Sequence, residues 1–401
     1  MQPDFDILII GGGLVGACIA GLLAADSHFA TFRLGMVEAN PPSPPAPDSD
    51  IDIRVSAISH ASQKVLRAAG GWQQLQPVHL SPYAEMVVWD ADGQPDGPGS
   101  IRFSAGMTGE PDLGQIVENR RLQWAMYSAP SFRERVVLLR AGLSGLAFDA
   151  EQAISSVSLT DGRRVTARLV IGADGAASQS RNLAGIEVTA RAYNQSAVVT
   201  HVRPGKPHAQ TAWQRFLPEG PLAFLPLADG RCSIVWTTTP ENAARLVEMP
   251  GAEFEQALLV ASDAALGPLT LTAPRARFAL QIMHAREYCR PGFVLVGDAA
   301  HAVHPLAGQG VNLGFADCAA LKETLVAAID TSPTAWADRR WLRRYERWRK
   351  RDNLLAASVI DGLERLFGHG DPRLKALRKA GLGLLDRSAT MKRLLIAQAS
   401  G

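Results

Sequence analysis

The run FDILIIGGGLVGACIAGLLAAD near the start of the chain constrains the fold more than any other stretch. FDILII is a continuous apolar segment of the buried-strand type, and LVGACIAGLLAAD has helical length and small residues, so the glycines between them read as a tight strand-to-helix turn. Gly11, Gly13 and Gly16 complete GxGxxG there. Gly11 permits the sharp turn, Gly13 lets the backbone approach a pyrophosphate, and Gly16 lets helix and strand pack closely. The helix N-terminus offers free N–H groups and a positive dipole end to an anion. About 20 residues further on, Glu38 closes a second short strand, RLGMVEAN, where a carboxylate accepts hydrogen bonds from a ribose diol. Its charge disfavours a 2′-phosphate, which leaves NAD or FAD. A glycine-rich turn without a ligand is the alternative.

Composition frames this turn. With 401 residues, 47% hydrophobic and 20% charged, the chain has material for one large or two linked cores and is not of disordered type. Cys18, Cys232, Cys289 and Cys318 stand far apart without a CxxC, which suggests neither a disulfide framework nor a zinc ribbon and fits a reducing cytosol. The first residues lack a basic n-region and a small-residue cleavage site, and their apolar run is too short to span a bilayer, so a soluble or peripheral protein is expected. Residues 334–401 hold 16 Lys and Arg against 7 Asp and Glu, so the basic character is confined to the tail and the rest is net acidic.

Along the chain, the proline-rich PPSPPAPDSD reads as a mobile surface loop, because consecutive prolines serve neither a helix nor a ladder. Residues 56–75 read as helical, followed by strands in AEMVVWDADG and GSIRFSA and a helix in RLQWAMYSA. From 136 to 171 apolar and polar residues alternate, with TDGRR as a hairpin turn. Residues 182–276 are mostly strand-like, with AEFEQALLVAS as the single helix, and beyond Gly297 the chain turns helical. No internal repeat of solenoid period occurs.

Two further stretches separate NAD from FAD. LVIGADGAASQSR places Gly172, Asp174, Gly175, Ser178 and Arg181 after one strand, and GFVLVGDAAHAVHPLAGQG places Gly297 and Asp298 after another. Each sets an acid beside glycine at a strand's carboxyl end, where ligands bind in open α/β sheets, so both can converge on one extended ligand. FAD is long enough to need several such contacts. Taken together, GxGxxG, DGAASQSR and GDAAHAVHPLAGQGVNLG resemble the single-component flavoprotein aromatic hydroxylases, and DIRVSAISHAS and HPLAGQGVNLGFAD are similar to their ubiquinone-biosynthesis branch. The resemblance runs from Phe5 to about Asp317 in motifs and through the basic tail in character.

That resemblance implies a p-hydroxybenzoate hydroxylase-like α/β fold, with a Rossmann-like FAD-binding domain from 1–75, 106–181 and 277–332. A β-rich substrate domain follows from 76–105 and 182–276, and a basic helical C-terminal region from 333–401. It implies FAD as cofactor and NAD(P)H as co-substrate. Asp298 would hold the ribityl or ribose hydroxyls, and Asp174 would serve a dual FAD/NAD(P)H motif, mainly by shaping its strand end. Arg54 would lie near the pyrophosphate, where a guanidinium suits paired phosphate oxygens. Asn119 departs from the Gln or Arg that many relatives direct at FAD.

Asp298, His301 and His304 could also be read as a metal triad on a helix face. Pro305 and its flanking glycines break any such helix, and no metal is expected. In the flavin reading His304, Pro305, Gly308, Gln309 and Gly310 form a flavin-edge loop whose small residues make room for the isoalloxazine. Gly310, Val311 and Asn312 then open a helix whose N–H groups favour the anionic reduced ring. The histidines could equally satisfy backbone groups in a tight loop.

The implied reaction is reduction of FAD by NAD(P)H, addition of O₂ at flavin C4a as a hydroperoxide, and hydroxylation of a prenylated phenol in ubiquinone biosynthesis. The cofactor carries the chemistry, while the protein positions the ring and excludes water. Neither GxSxG nor HExxH occurs in the chain. Phe224, Pro226 and Leu227 in FLPLADG are expected to roof the substrate pocket, against the alternative of ordinary core. Other readings are a hydroxylase of a soluble aromatic, a flavin-dependent prenyl reductase, or a non-catalytic flavin-binding assembly subunit. The Arg-, Trp- and Leu-rich tail suits peripheral contact with the inner face of the cytoplasmic membrane or with a biosynthetic complex. A helical lid with a solvated basic face is the competing reading. Nucleic acid is not expected, since no binding module accompanies the charge, and no motif encodes ring position or oligomeric state.

Overall fold

The computed structural model describes residues 2–46, 49–97, 99–302, 310–368 and 392, with side chains described outside 191–193, 356–361 and 363–368. FDILII forms the strand Phe5–Ile10, buried along nearly all its length as a central parallel strand must be when helices cover both faces. It pairs in parallel with Leu34–Val37 on one side and Arg164–Gly172 on the other. Val136–Leu139 and Phe293–Leu295 extend the sheet outward, again in parallel. All five strands therefore end along one edge, and Gly11, Glu38, Asp174 and Gly297 follow directly at that edge. An antiparallel meander, Leu143–Asp149 and Ile154–Leu159, leads into Arg164–Gly172 as the TDGRR turn requires.

One core holds this half together. Ile7, Leu8 and Ile9 of the central strand bury against Cys18, Ile19 and Leu23 of the helix Leu14–Ala25. The same cluster takes in Phe315, Leu321 and Leu325 of the helix Gly310–Thr331, and Leu342 and Tyr345 of the helix Arg339–Gly368. Part of the basic tail is thus packed into the nucleotide-binding half.

A second sheet has nine strands among the described residues, centred on the long strand Val188–Pro204 and antiparallel except where Thr211–Leu217 meets Glu85–Asp90. The helices Pro240–Glu248 and Gly251–Ala261 cover one face, burying Val198, Leu222, Phe224, Ile234 and Trp236 with Leu246, Phe254 and Leu258. On the opposite face Leu225 and Leu227 pack with Ala57 and Ile116 of a small sheet formed by Val55–Ile58, Gly114–Glu118 and Leu80–Tyr83.

Three expectations change. Residues 56–75 are not one helix: Val55–Ile58 is extended and pairs with Gly114–Glu118, and the helix starts only at His60, where Ser59 Oγ accepts the Ser62 N–H at 3.3 Å. The middle region has two helices, because Thr239 caps Pro240–Glu248 and proline in a first helical turn is compatible with the helix. The end of the proline-rich segment is held down: Arg120 and Arg121 donate to Ser49 Oγ at 3.0 and 3.1 Å, and Arg231 pairs with Asp50.

Candidate active site

The first turn divides its glycines by function. Gly11 has φ +96°, and a Cβ there would lie 2.6 Å from the Ala173 carbonyl oxygen; one at Gly16 would lie 1.9 Å from the Gly11 oxygen. Those two serve the protein's own packing. A Cβ at Gly13 would meet nothing within 4 Å, so the backbone beside the helix N-terminus is bare to open space. The Gly12 N–H donates to Glu38 Oε2 at 2.7 Å, and Glu38 Oε1 accepts the Asn40 N–H at 2.8 Å, fixing the carboxylate at the strand end. Sequence reasoning missed two residues here. From the helix Asn119–Ser128, Gln123 Nε2 and the Tyr127 hydroxyl donate to the Gly12 carbonyl at 2.7 and 3.0 Å. Burial, with the Glu38 charge, pushes the Tyr127 phenol far up, so it stays a donor. The available signal was spacing: positions 119, 123 and 127 share a helix face.

Asp174 shapes its own turn, accepting Ser178 Oγ at 2.6 Å, Ser180 Oγ at 2.7 Å and the Ser180 N–H at 2.8 Å. Arg181, buried in the same motif, donates to the Ala176 and Ala299 carbonyls, both at 3.0 Å, and so stitches this turn to the one carrying Asp298. Gly297 sits at φ +59°. Asp298 is solvent-accessible yet crowded by surrounding protein. That enclosure raises its carboxyl above the ordinary range, with His301 and Arg54 pulling it back and Asp317 pushing the same way as burial. Arg54 is exposed, and its guanidinium makes no hydrogen bond or ion pair among the described residues.

Behind this turn, buried Asp317 accepts the Gly297 N–H at 2.9 Å and Arg349 Nε at 2.7 Å, and lies 2.6 Å from His301 Nε2. Burial alone would raise this carboxyl, but His301 and Arg349 hold it down at about 2. Asn119 accepts Ser56 Oγ at 2.7 Å. Asn312 clamps the start of its helix to the small sheet, accepting the Ser59 N–H at 3.1 Å and donating to Ala57 O at 2.8 Å. Its side chain is therefore engaged, while a Cβ at Gly310 would meet nothing within 4 Å. Val311 packs on the core. His304, Pro305, Gly308 and Gln309 lie outside the described residues. Among the described residues, no three His, Cys, Asp or Glu side chains are grouped to hold a metal.

The residues expected to roof the substrate are not brought together. Phe224 faces the covering helices, whereas Leu227, with Leu225, faces Ala57, whose carbonyl Asn312 holds. Strand alternation separates them. A groove of about 910 Å³ lined by Leu217, Trp236 and Ala257 lies on the helix-covered face of the sheet, remote from the glycine turns.

The bare backbone at Gly13 and Gly310, the fixed Glu38, the accessible Asp298 and the unengaged Arg54 suit one extended dinucleotide with charged phosphates at its middle. Residues 143–357 match the FAD binding domain family. The chain is 38% identical over 400 residues to 3-demethoxyubiquinol 3-hydroxylase of Escherichia coli, covering 100% of this chain and 99% of that one. It belongs to the ubiquinone-biosynthesis branch of the FAD-dependent hydroxylases. The mitochondrial ubiquinone biosynthesis monooxygenase of Mus musculus is 34% identical over 439 residues, covering 99% of this chain and 91% of that protein. Among solved structures, p-nitrophenol 4-monooxygenase from Pseudomonas putida superimposes with a TM-score of 0.76 at 18% identity, covering 100% of this chain and 99% of that one, a likeness of fold. This hydroxylase is thus an FAD-dependent monooxygenase of p-hydroxybenzoate hydroxylase-like architecture, in a class that uses NAD(P)H and O₂.

Proposed function

We propose that this hydroxylase oxygenates the aromatic ring of a prenylated phenolic precursor of ubiquinone. The observation that carries the reading is the end-to-end likeness to the 3-demethoxyubiquinol 3-hydroxylase, motif turns and C-terminal helix included. Bound FAD supplies the redox chemistry and the activation of oxygen. The chain's own residues do the rest. The Gly13 backbone, the N-terminus of Leu14–Ala25 and Arg54 would hold the pyrophosphate, Glu38 the adenosine ribose, and Asp298 the ribityl hydroxyls. The N-terminus of Gly310–Thr331, with its positive dipole end, would favour negative charge on the reduced ring. Leu225 and Leu227, packed against Ala57 beside Asn312, would back the substrate site and help exclude water from it.

Peripheral membrane contact belongs to the same proposal. No described helix is long and apolar enough to cross a membrane. The helix Arg339–Gly368 buries Leu342, Tyr345, Arg349 and Asn353 and exposes Arg340, Arg344, Arg347, Trp348, Arg351, Leu354 and Leu355. A basic face with interleaved apolar residues suits an anionic lipid surface, where a prenylated substrate resides.

The decisive experiment is quinone profiling of a deletion strain, with ¹⁸O₂ labelling of the purified reaction. Accumulation of a precursor lacking one hydroxyl, and product carrying one labelled oxygen, is the expected result. A normal quinone profile, or product without label, rejects the reading.

A further inference from the structure

Asp317 and Arg349 touch none of the glycine turns' open faces, yet they form the most heavily bonded buried charge pair behind them. We propose that both are positioning residues for FAD: through them the helix Arg339–Gly368 holds the Gly297–His301 turn in its cofactor-binding shape, so that FAD binding and docking of that helix are linked.

The geometry is specific to the turn. Asp317 is fully buried, and besides Gly297 N–H, His301 and Arg349 Nε it accepts Asn353 Nδ2 at 3.3 Å. Gly297 adopts a left-handed conformation, and a Cβ there would lie 3.0 Å from Val15 Cγ1, so the turn is tight and its N–H is aimed at Asp317. The helix grips the same turn at further points. The Tyr345 hydroxyl donates to Leu295 O at 3.0 Å, just before the turn, and Tyr288, 3.5 Å from Asn353 Nδ2, stacks on the His301 ring at 6.0 Å. Arg349 is itself locked, donating to Asn353 Oδ1 at 2.8 Å and Asp352 Oδ2 at 3.1 Å. With its back bonded from Leu295 to His301, the turn presents Asp298 on its exposed side. Removing the guanidinium leaves the buried carboxylate with His301 alone to offset its charge, so that it moves or takes a proton and loosens its hold on the Gly297 N–H.

The inference rests on FAD occupying these turns. The test titrates apoprotein with FAD by flavin fluorescence, and follows hydrogen exchange by mass spectrometry, for wild type, Asp298→Ala, Arg349→Met and Arg349→Lys. Arg349→Met is expected to weaken FAD at least tenfold. Exchange should quicken in residues 293–302 while 34–37 and 220–238 stay protected, a local pattern that general destabilisation would not give. FAD should slow exchange across 341–355 in wild type and lose that effect in Arg349→Met, because coupling between two sites is reciprocal. Arg349→Lys should fall between, since an ammonium keeps the charge but not the fork. A folded Arg349→Met with wild-type affinity and wild-type exchange overturns the inference. If that variant does not fold, Arg349→Lys decides, and unchanged affinity overturns it equally. Asp298→Ala binding FAD as tightly as wild type shows that FAD lies elsewhere and removes both this inference and the site reading. A weakened Asp298→Ala beside an unaffected Arg349 variant removes this inference alone.

Discussion

Gly13 and Gly16 stand three positions apart and differ in what a side chain would meet. Gly16→Val drives its Cβ into the Gly11 carbonyl and is expected to cost several kcal/mol of apoprotein stability, in the range of severe core clashes. Gly13→Val enters open space at a helix N-cap with φ −63°, so apoprotein stability should stay within about 0.5 kcal/mol while FAD binding is lost. Melting of the two apoproteins and FAD titration check the pair; a yellow, stoichiometric Gly13→Val protein contradicts the placement of the pyrophosphate. His201 makes a separate case. It is fully buried on its strand, and neither ring nitrogen has a hydrogen-bond partner. Burial, then Arg231, lowers its pKa to about 4 from the ordinary 6.5, against the raising effect of Asp229 and Asp50. Burial, with the His301 and Lys350 charges, brings His284 to about 4 as well. Between these values the unfolded chain binds the proton and the folded chain does not, so stability falls by a few kcal/mol as pH drops from 6.5 toward 4. His201→Leu should flatten that acid limb without loss near neutral pH, because it also removes two unpaired polar atoms. Unfolding midpoints across the pH range read this directly, and an unchanged acid limb counts against it.

At the scale of elements, the helix Asn119–Ser128 braces the first turn through Gln123 and Tyr127. Tyr127→Phe removes a donor from the Gly12 carbonyl, with a stability loss of about 1 kcal/mol and weaker FAD binding; denaturant unfolding and titration test it, and wild-type values in both refute the brace. What could be read in the sequence was what local chemistry fixes: the strand, turn and helix around Gly11–Gly16, the TDGRR hairpin, and the glycine–acid pairs that follow two further strands. Register was not readable. Val55–Ile58 looks like the start of a helix until its partner, Gly114–Glu118, is known, and one residue of offset puts Phe224 under helices while Leu225 faces the small sheet. Arg349 and Asp317 lie 32 residues apart, so only packing of two helices reveals that a tail arginine neutralises a buried acid behind the cofactor turn. Arg54, by contrast, is legible from the family motif alone, and its charge acts to lower the Asp298 carboxyl.

On the scale of the whole molecule, the C-terminal helix joins two roles, one face packed and the other outward. Each outward arginine near an anionic bilayer contributes about 1 kcal/mol. Arg344→Glu/Arg347→Glu/Arg351→Glu should therefore reduce partitioning to anionic vesicles more than tenfold while leaving FAD content unchanged. Co-sedimentation at low and high salt measures this, and wild-type protein that ignores anionic vesicles removes the membrane reading. The central strand has a different consequence. Phe5–Ile10 is synthesised well before Arg164–Gly172, with which it pairs, and the carboxyl end of that partner is flanked in turn by Phe293–Leu295, itself held by Tyr345. At roughly 5–20 residues per second, the ribosome leaves that greasy hexapeptide without its full sheet for about a quarter of a minute to a minute. Until then its apolar surface is open to neighbouring chains, so the yield of coloured protein on refolding should fall as chain concentration rises.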